Sequence, residues 1–291
     1  DTPQVTDPST WNDAGKTIME ALEKQYAPYG MTLQAKEGTP YFLAVNRDAN
    51  VVTVYTADED SRYTVPFMAM VCSGGVDSTT CLALAIEKHG KENVCALSIY
   101  YGQKHVKEIQ AAKAVLEYYG IEGTSLDLTP VFAYSDCSLL SHSTEDIPEE
   151  SYAEQLAQRG GKPVTTYVPF RNGLFLSAAA SVALSKNCSV IYYGAHHDDA
   201  AGNAYPDCSE EFVNAMNHSI VLGSGGDVRI EAPFVRWNKA QIVAEGLRLQ
   251  VPYQLTWSCY EGGDKPCGKC GTCLDRIRAF EANGVTDPAM R

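Results

Sequence analysis

The chain has 291 residues, 45% hydrophobic and 20% charged, with a formal net charge of −13. That length supports one large domain or two smaller ones around a sizeable core, and the acidity argues against a general nucleic-acid groove. No apolar run reaches about 18 residues, so no membrane span is expected.

The first residues, Asp1-Thr2-Pro3-Gln4, show neither the basic nor the apolar part of a signal peptide. Four of the ten cysteines cluster near the C-terminus, and six are scattered, several in apolar runs around Cys72, Cys95 and Cys188. Single cysteines in core-like segments suit a reducing compartment, so a cytoplasmic location is expected.

Residues 1–11 read as a mobile arm. Asn12 to Tyr26 has Ile18, Leu22 and Tyr26 at helical spacing and predicts an amphipathic helix. Alternation in Tyr41–Val45 and Val51–Tyr55 around a polar turn predicts a hairpin, with a third short strand over Arg62–Val65. Residues 1–65 therefore read as a small α+β unit, either a packing or oligomerisation appendage or a docking site for a partner.

From residue 66 onward the pattern is strand–helix alternation. Strands are predicted at 67–72, 93–100, 124–128, 190–193 and 229–232. Helices are predicted to begin after Ser78 and to cover 106–119, 171–186 and 210–222, with a last one from Asn238, a good N-cap. Residues 130–165 hold no long periodic segment, and a connection of that length reads as a lid over a site. Repeated βα units imply a doubly wound parallel sheet with helices on both faces.

Between the first of these strands and its helix lies Ser73-Gly74-Gly75-Val76-Asp77-Ser78. Such a turn aims backbone N–H groups at one point near the positive end of a helix dipole, which makes an anion cradle. Ser73, Ser78 and Thr79 add hydroxyl donors. Asp77 is out of place in a pure anion site unless it caps the helix or holds a Mg²⁺ that shares phosphates. Further polar stretches fall at strand carboxyl ends, at Tyr101–His105, Arg171-Asn172 and Gly194–Cys208, where open α/β sheets bind ligands. They are expected to share one cleft.

Cys259, Cys267, Cys270 and Cys273 follow the spacing Cys-x7-Cys-x2-Cys-x2-Cys. Four thiolates in fifteen residues suit a closed structural Zn²⁺ site, with an Fe–S cluster as the main competitor.

The SGGxDS loop resembles the pyrophosphate (PP-) loop of the ATP pyrophosphatases, which cleave ATP between its α and β phosphates to form an adenylate. Further stretches extend the match: Tyr101-Gly102-Gln103-Lys104-His105, Val168-Pro169-Phe170-Arg171-Asn172, Tyr205-Pro206-Asp207-Cys208, Lys239-Ala240-Gln241-Ile242 and the cysteine cluster. With them, residues ~67–285 resemble the 7-cyano-7-deazaguanine synthase family. The resemblance implies an adenine-nucleotide alpha-hydrolase-like α/β fold with a C-terminal zinc knuckle. It also implies ATP with Mg²⁺, 7-carboxy-7-deazaguanine and ammonia as reactants. The chain departs from the family in its extra 65 N-terminal residues and in a longer stretch before Tyr205. Some relatives in bacterial defence operons join the deazaguanine to a protein amine instead, and that reading is the alternative, with residues 1–65 docking the partner. Oligomeric state is open, a homodimer among the options.

On this reading Ser73, Gly74, Gly75, Asp77, Ser78 and Thr79 bind ATP. Asp77 holds Mg²⁺, and Lys239 neutralises the leaving pyrophosphate, although a first-turn lysine is as often a plain surface residue. Arg171 is assigned to the substrate carboxylate or the α phosphate. Asn172, Tyr205, Asp207 and Cys208 are assigned to the deazaguanine, with Tyr205 or Phe170 stacking on the ring. His196 and His197 read as solvated loop residues and stay outside the site.

Overall fold

The computed structural model describes residues 41–46, 51–56, 67–71, 73–160 and 162–290. The chain divides into two compact units, Asp1–Pro66 and Phe67–Arg291. In the first, β1 (Tyr41–Asn46) and β2 (Val51–Thr56) pair antiparallel, Tyr41 opposite Thr56 and Asn46 opposite Val51. This is the hairpin expected from the alternation. The predicted arm over 1–11, the helix over Asn12–Tyr26 and the strand over Arg62–Val65 lie outside the described residues.

The second unit is built on a five-stranded sheet of β3 (Phe67–Val71), β4 (Val94–Tyr100), β5 (Gly123–Asp127), β6 (Cys188–Tyr192) and β7 (Arg229–Glu231). The spatial order is β5-β4-β3-β6-β7, and every pair is parallel. The chain builds outward from β3 through β4 to β5, then returns to the other side of β3 for β6 and β7. The resulting switch point lies between β3 and β6, and ligands of such sheets bind beyond its carboxyl end.

Period-two alternation divides the core between the two faces of the sheet. Val94, Ala96, Val190 and Tyr192 pack with α1 (Val76–His89) and α2 (Lys107–Tyr119) through Leu82, Ala85, Val115 and Leu116. Cys95, Leu97, Ile99 and Ile191 pack with α4 (Arg171–Ser185) and α6 (Glu210–Gly223) through Leu176, Ala179, Val213 and Ile220. This is the doubly wound α/β architecture that the βα repetition predicts.

Helix ends follow local chemistry. Gly120 caps α2 in a left-handed conformation with φ 67°. Asn238 starts α7 (Lys239–Arg248) with a reciprocal capping box, its Oδ1 accepting from the Gln241 N–H at 2.9 Å while Gln241 Oε1 accepts from the Asn238 N–H at 2.9 Å.

The long connection after β5 is anchored rather than loose. Phe132, Cys137, Leu139 and Leu140 are buried with Tyr101 and Val168, and the Lys104 N–H donates to the Leu139 carbonyl at 2.8 Å. It carries the short helix α3 (Tyr152–Gln158), whose first residue faces the cavity described below. The stretch is thus a packed connection that reaches the cavity through Tyr152.

The C-terminal segment folds back over the sheet's carboxyl end. The Trp257 N–H donates to the Gly74 carbonyl at 2.9 Å. Arg276, on α8 (Gly271–Ala282), is buried at 2% exposure and forks onto Asp287, Nε at 2.6 Å and Nη2 at 2.9 Å. Its remaining donors reach Thr256 Oγ1 at 2.8 Å and the Tyr253 carbonyl at 3.1 Å.

Candidate active site

The loop Ser73–Gly75 hands directly into α1, which starts at Val76, three residues earlier than expected. Gly74 sits at φ 77°, and a Cβ there would lie 2.5 Å from the Ala112 nitrogen and the Glu108 carbonyl oxygen. Only glycine fits, because both neighbours are backbone. The loop hydroxyls are mutually organised: Ser73 Oγ lies 3.0 Å from Ser78 Oγ, which also accepts from the Ser73 N–H at 3.2 Å.

The loop opens into a cavity of about 210 Å³ at the switch point. Of the sequence-predicted residues, Ser73, Gly75, Asp77, Ser78, Arg171, Asn172, Tyr205, Cys208 and Lys239 line it. Gly74, Thr79 and Asp207 do not. Gly74 is turned into α2, and Thr79 is wholly buried in α1. Asp207 sits behind the wall at 2% exposure, where its Oδ2 accepts from the Asn172 N–H at 3.0 Å. Phe170 is absent from the wall as well; it is 56% exposed and packs edge-on against Phe212.

Lys239 crosses from α7 to the loop. Its Nζ donates to Asp77 Oδ2 at 2.5 Å, and its side chain is 13% exposed. It is no surface lysine. Burial would push the Asp77 carboxyl up, but the Lys239 ammonium and His196 outweigh it and hold the carboxyl below the usual range. Burial likewise works against the Lys239 charge, and Asp77 and Asp199 more than offset it. The pair is therefore ionised. Asp77 Oδ1 is buried with no hydrogen-bond partner, which is how an oxygen kept for a cation is left.

His196 corrects the sequence reading. His197, at the start of α5 (His197–Ala200), is exposed at 67%, as expected, but its neighbour His196 is exposed at only 2%. His196 Nε2 lies 3.3 Å from Asp199 Oδ2, 3.4 Å from Lys239 Nζ and 3.8 Å from Asp77 Oδ1. A paired histidine in a polar stretch gives no sign of which member turns inward. Its position just beyond β6 at the switch point was the available signal.

Arg171, in the first turn of α4, lies over the Tyr101 ring at 5.1 Å and the Phe175 ring at 5.8 Å. Burial works against its charge, but the surrounding oxygens, with Asp207 and Glu108 among them, hold it firmly cationic. Glu108 was not foreseen. It lines the same cavity, and burial pushes its carboxyl up to about 7 against the opposing pull of Arg171. Burial also raises the Cys208 thiol well above its usual range, so it is a neutral group that accepts from Asn172 Nδ2 at 3.3 Å. That argues against a nucleophilic cysteine.

Tyr152, Tyr205 and Tyr260 form the far wall, Tyr260 OH lying 2.9 Å from Tyr152 OH and 3.1 Å from Tyr205 OH.

Tyr260 immediately follows the first cysteine of the C-terminal cluster. The sulfurs of Cys259, Cys267, Cys270 and Cys273 all lie within 4.8 Å of one another. Thiolates bound at about 2.3 Å to one tetrahedral ion sit about 3.8 Å apart, so the set fits a metal. Backbone N–H groups of Cys267 and Glu261 donate to Cys259 Sγ at 3.3 and 3.4 Å. Hydrogen bonds from Cys270 and Cys273 hold the Cys259 thiol far below its usual range, and sharing with Cys259 pushes Cys270 up to about 12.

A family model described as "Queuosine biosynthesis protein QueC" matches residues 68–284. The chain belongs to the QueC family. It is 42% identical over 222 residues to the 7-cyano-7-deazaguanine synthase of Archaeoglobus fulgidus, covering 76% of this chain and 88% of that protein. It is 43% identical over 219 residues to the one from Caldicellulosiruptor saccharolyticus, covering 75% and 92%. A solved NMN synthetase from Francisella tularensis aligns at a TM-score of 0.42 and 16% identity, over 76% of this chain and 78% of that one. Within this QueC-family chain the match begins at β3 and ends just past α8, so it takes in the loop, the cavity and the cysteine cluster. Among the described residues, no helix is long and apolar enough to cross a membrane.

Proposed function

We propose that the protein converts 7-carboxy-7-deazaguanine to 7-cyano-7-deazaguanine, using ATP and ammonia. The observation that carries the reading is the ionised Lys239–Asp77 pair closing a glycine-rich loop in the cavity that also holds Arg171. The name of the relatives, 7-cyano-7-deazaguanine synthase, supports the same chemistry.

A carboxylate is a poor electrophile because its oxygen leaves badly. In the proposed first step that oxygen attacks the α phosphorus of ATP and pyrophosphate departs. Ammonia then adds to the acyl carbon and AMP leaves, giving the amide. A second ATP adenylates the amide oxygen. Loss of AMP together with the remaining N–H protons gives the nitrile.

In the first step Arg171 holds the carboxylate, its charge sustained by Glu108 and its plane fixed on two aromatic faces. Ser73, Gly75 and Ser78 cradle the β and γ phosphates. Lys239 stabilises the charge that develops on pyrophosphate. Asp77 would hold the Mg²⁺ through its unpartnered Oδ1, and that ion would screen the phosphate charge. Cys259, Cys267, Cys270 and Cys273 would hold Zn²⁺ as a structural ion.

The test is mass spectrometry of products after incubation with Mg-ATP, 7-carboxy-7-deazaguanine and ammonium. A nitrile from the native chain is expected, with turnover lowered at least about 100-fold in Asp77→Asn. A native chain that forms neither adenylate, amide nor nitrile would defeat the assignment.

A further inference from the structure

The three phenols of the far wall are more than packing. Thr166 Oγ1 lies 2.6 Å from Tyr205 OH, which leads to Tyr260 OH at 3.1 Å and on to Tyr152 OH at 2.9 Å. Each of these four hydroxyls brings one proton and two lone pairs, so acceptor sites outnumber donors two to one however the protons are arranged. The cluster therefore has an excess of acceptors, and its three phenols line the cavity that also holds the phosphate cradle.

A carboxylate adds to this. Asp199 lines the same cavity, and its backbone carbonyl accepts from the Tyr205 N–H at 3.0 Å. Burial pushes all three phenols upward, Tyr205 to about 12, and the Asp199 charge acts on each in the same direction. The phenols thus stay neutral, and Asp199 is within electrostatic reach of every one.

Two of the rings pack together, Tyr152 standing edge-on to Tyr205 with centroids 5.5 Å apart. Phosphate, an acceptor only, is mismatched to such a corner. The edge of a deazaguanine, with donors and acceptors in alternation, uses only part of it. Ammonium has donors on every side, no acceptor and a positive charge, which suits oxygen lone pairs, aromatic rings and a carboxylate together.

We infer that Tyr152, Tyr205, Tyr260 and Asp199 form the subsite that takes up the ammonium ion, which passes one proton to the Asp199 carboxylate as its nitrogen lone pair attacks the acyl carbon. The inference rests on the proposed reaction. Its place in the site is chemically apt. Arg171 lines the same cavity as the three phenols and Asp199, so a carboxylate held on that guanidinium shares the chamber with the subsite. In the other direction, Asp199 leads through His196 to Lys239 and Asp77.

The test is a steady-state titration with ammonium chloride at saturating Mg-ATP and 7-carboxy-7-deazaguanine, on Tyr152→Phe, Tyr260→Phe and Asp199→Asn. Losing one charge-assisted hydrogen bond should raise the KM for ammonium about tenfold or more, while the KM for ATP moves less than twofold. An unchanged KM for ammonium in all three variants overturns the subsite, as does a parallel rise in the KM for the carboxylated deazaguanine. A separate measurement on the native chain, pyrophosphate exchange into ATP that depends on the carboxylated deazaguanine without ammonium, tests the underlying reaction by itself. Exchange with unmoved ammonium KM values sinks only the subsite, whereas no exchange sinks the reaction.

Discussion

Glu108 shows how a single side chain acquires a function-like environment from elsewhere in the chain. In sequence it is an acidic residue in the first turn of a helix, the commonest of surface positions. In the fold it lines the cavity, and its carboxyl is pushed up to about 7 by burial. The unfolded chain ionises it near 4.5, so between about 4.5 and 7 the folded state holds more protons than the unfolded one. Stability from this group therefore falls as pH rises through that window. Glu108→Gln should flatten the decline, measured as the denaturation midpoint against pH from 4 to 8. A midpoint profile as steep as that of the native chain would contradict the burial argument. Lys239 and His196 make the same point about legibility. The residue types and their placement at strand ends were readable. That Lys239 reaches back 162 residues to Asp77, or that His196 and not His197 turns inward, depends on non-local packing.

At the scale of elements, the strands and helices of 67–291 were largely legible because each carries its own periodicity and end signals. The apolar runs, the left-handed Gly120 and the Asn238 capping box are local, and the expected elements have boundaries within a few residues of the observed ones, whereas the helices α3 and α8 were not expected. The start of α1 was less so, since two glycines followed by valine look like loop until the contact of Gly74 with α2 is known. The packing of residues 130–165 was not legible for a related reason: a connection without periodicity can still be pinned by Phe132, Cys137 and Leu140. The cysteine knuckle is the element whose integrity is most directly testable. Bound zinc, measured by atomic absorption, should be about one ion per chain and should be lost in Cys270→Ser. A strong chelator should lower the melting temperature of the native chain, because the binding energy of a structural zinc is also folding energy. A melting temperature indifferent to the chelator would assign the thiols another role.

For the whole molecule, a buried ion pair holds the C-terminal segment together. Arg276 and Asp287 are each about 2% exposed and satisfy one another, with Thr256 and Tyr253 taking the remaining guanidinium donors. Arg276→Ala would leave a buried carboxylate unpaired and should cost about 3–5 kcal/mol of unfolding free energy in urea titration. A loss below 1 kcal/mol would mean the pair is replaceable by water. The doubly wound architecture itself was readable from the alternation of βα units, since parallel strands leave few alternatives. The closure of the cavity was not, because Trp257, Ser258 and Tyr260 enter its wall from a stretch with no periodic pattern. That closure has a consequence for synthesis on the ribosome. Every strand of the sheet and the phosphate loop emerge before the Trp257 segment that hydrogen-bonds Gly74 and roofs the site. A nascent chain thus presents every strand of the sheet and the phosphate loop before the residues that complete the pocket wall have been made.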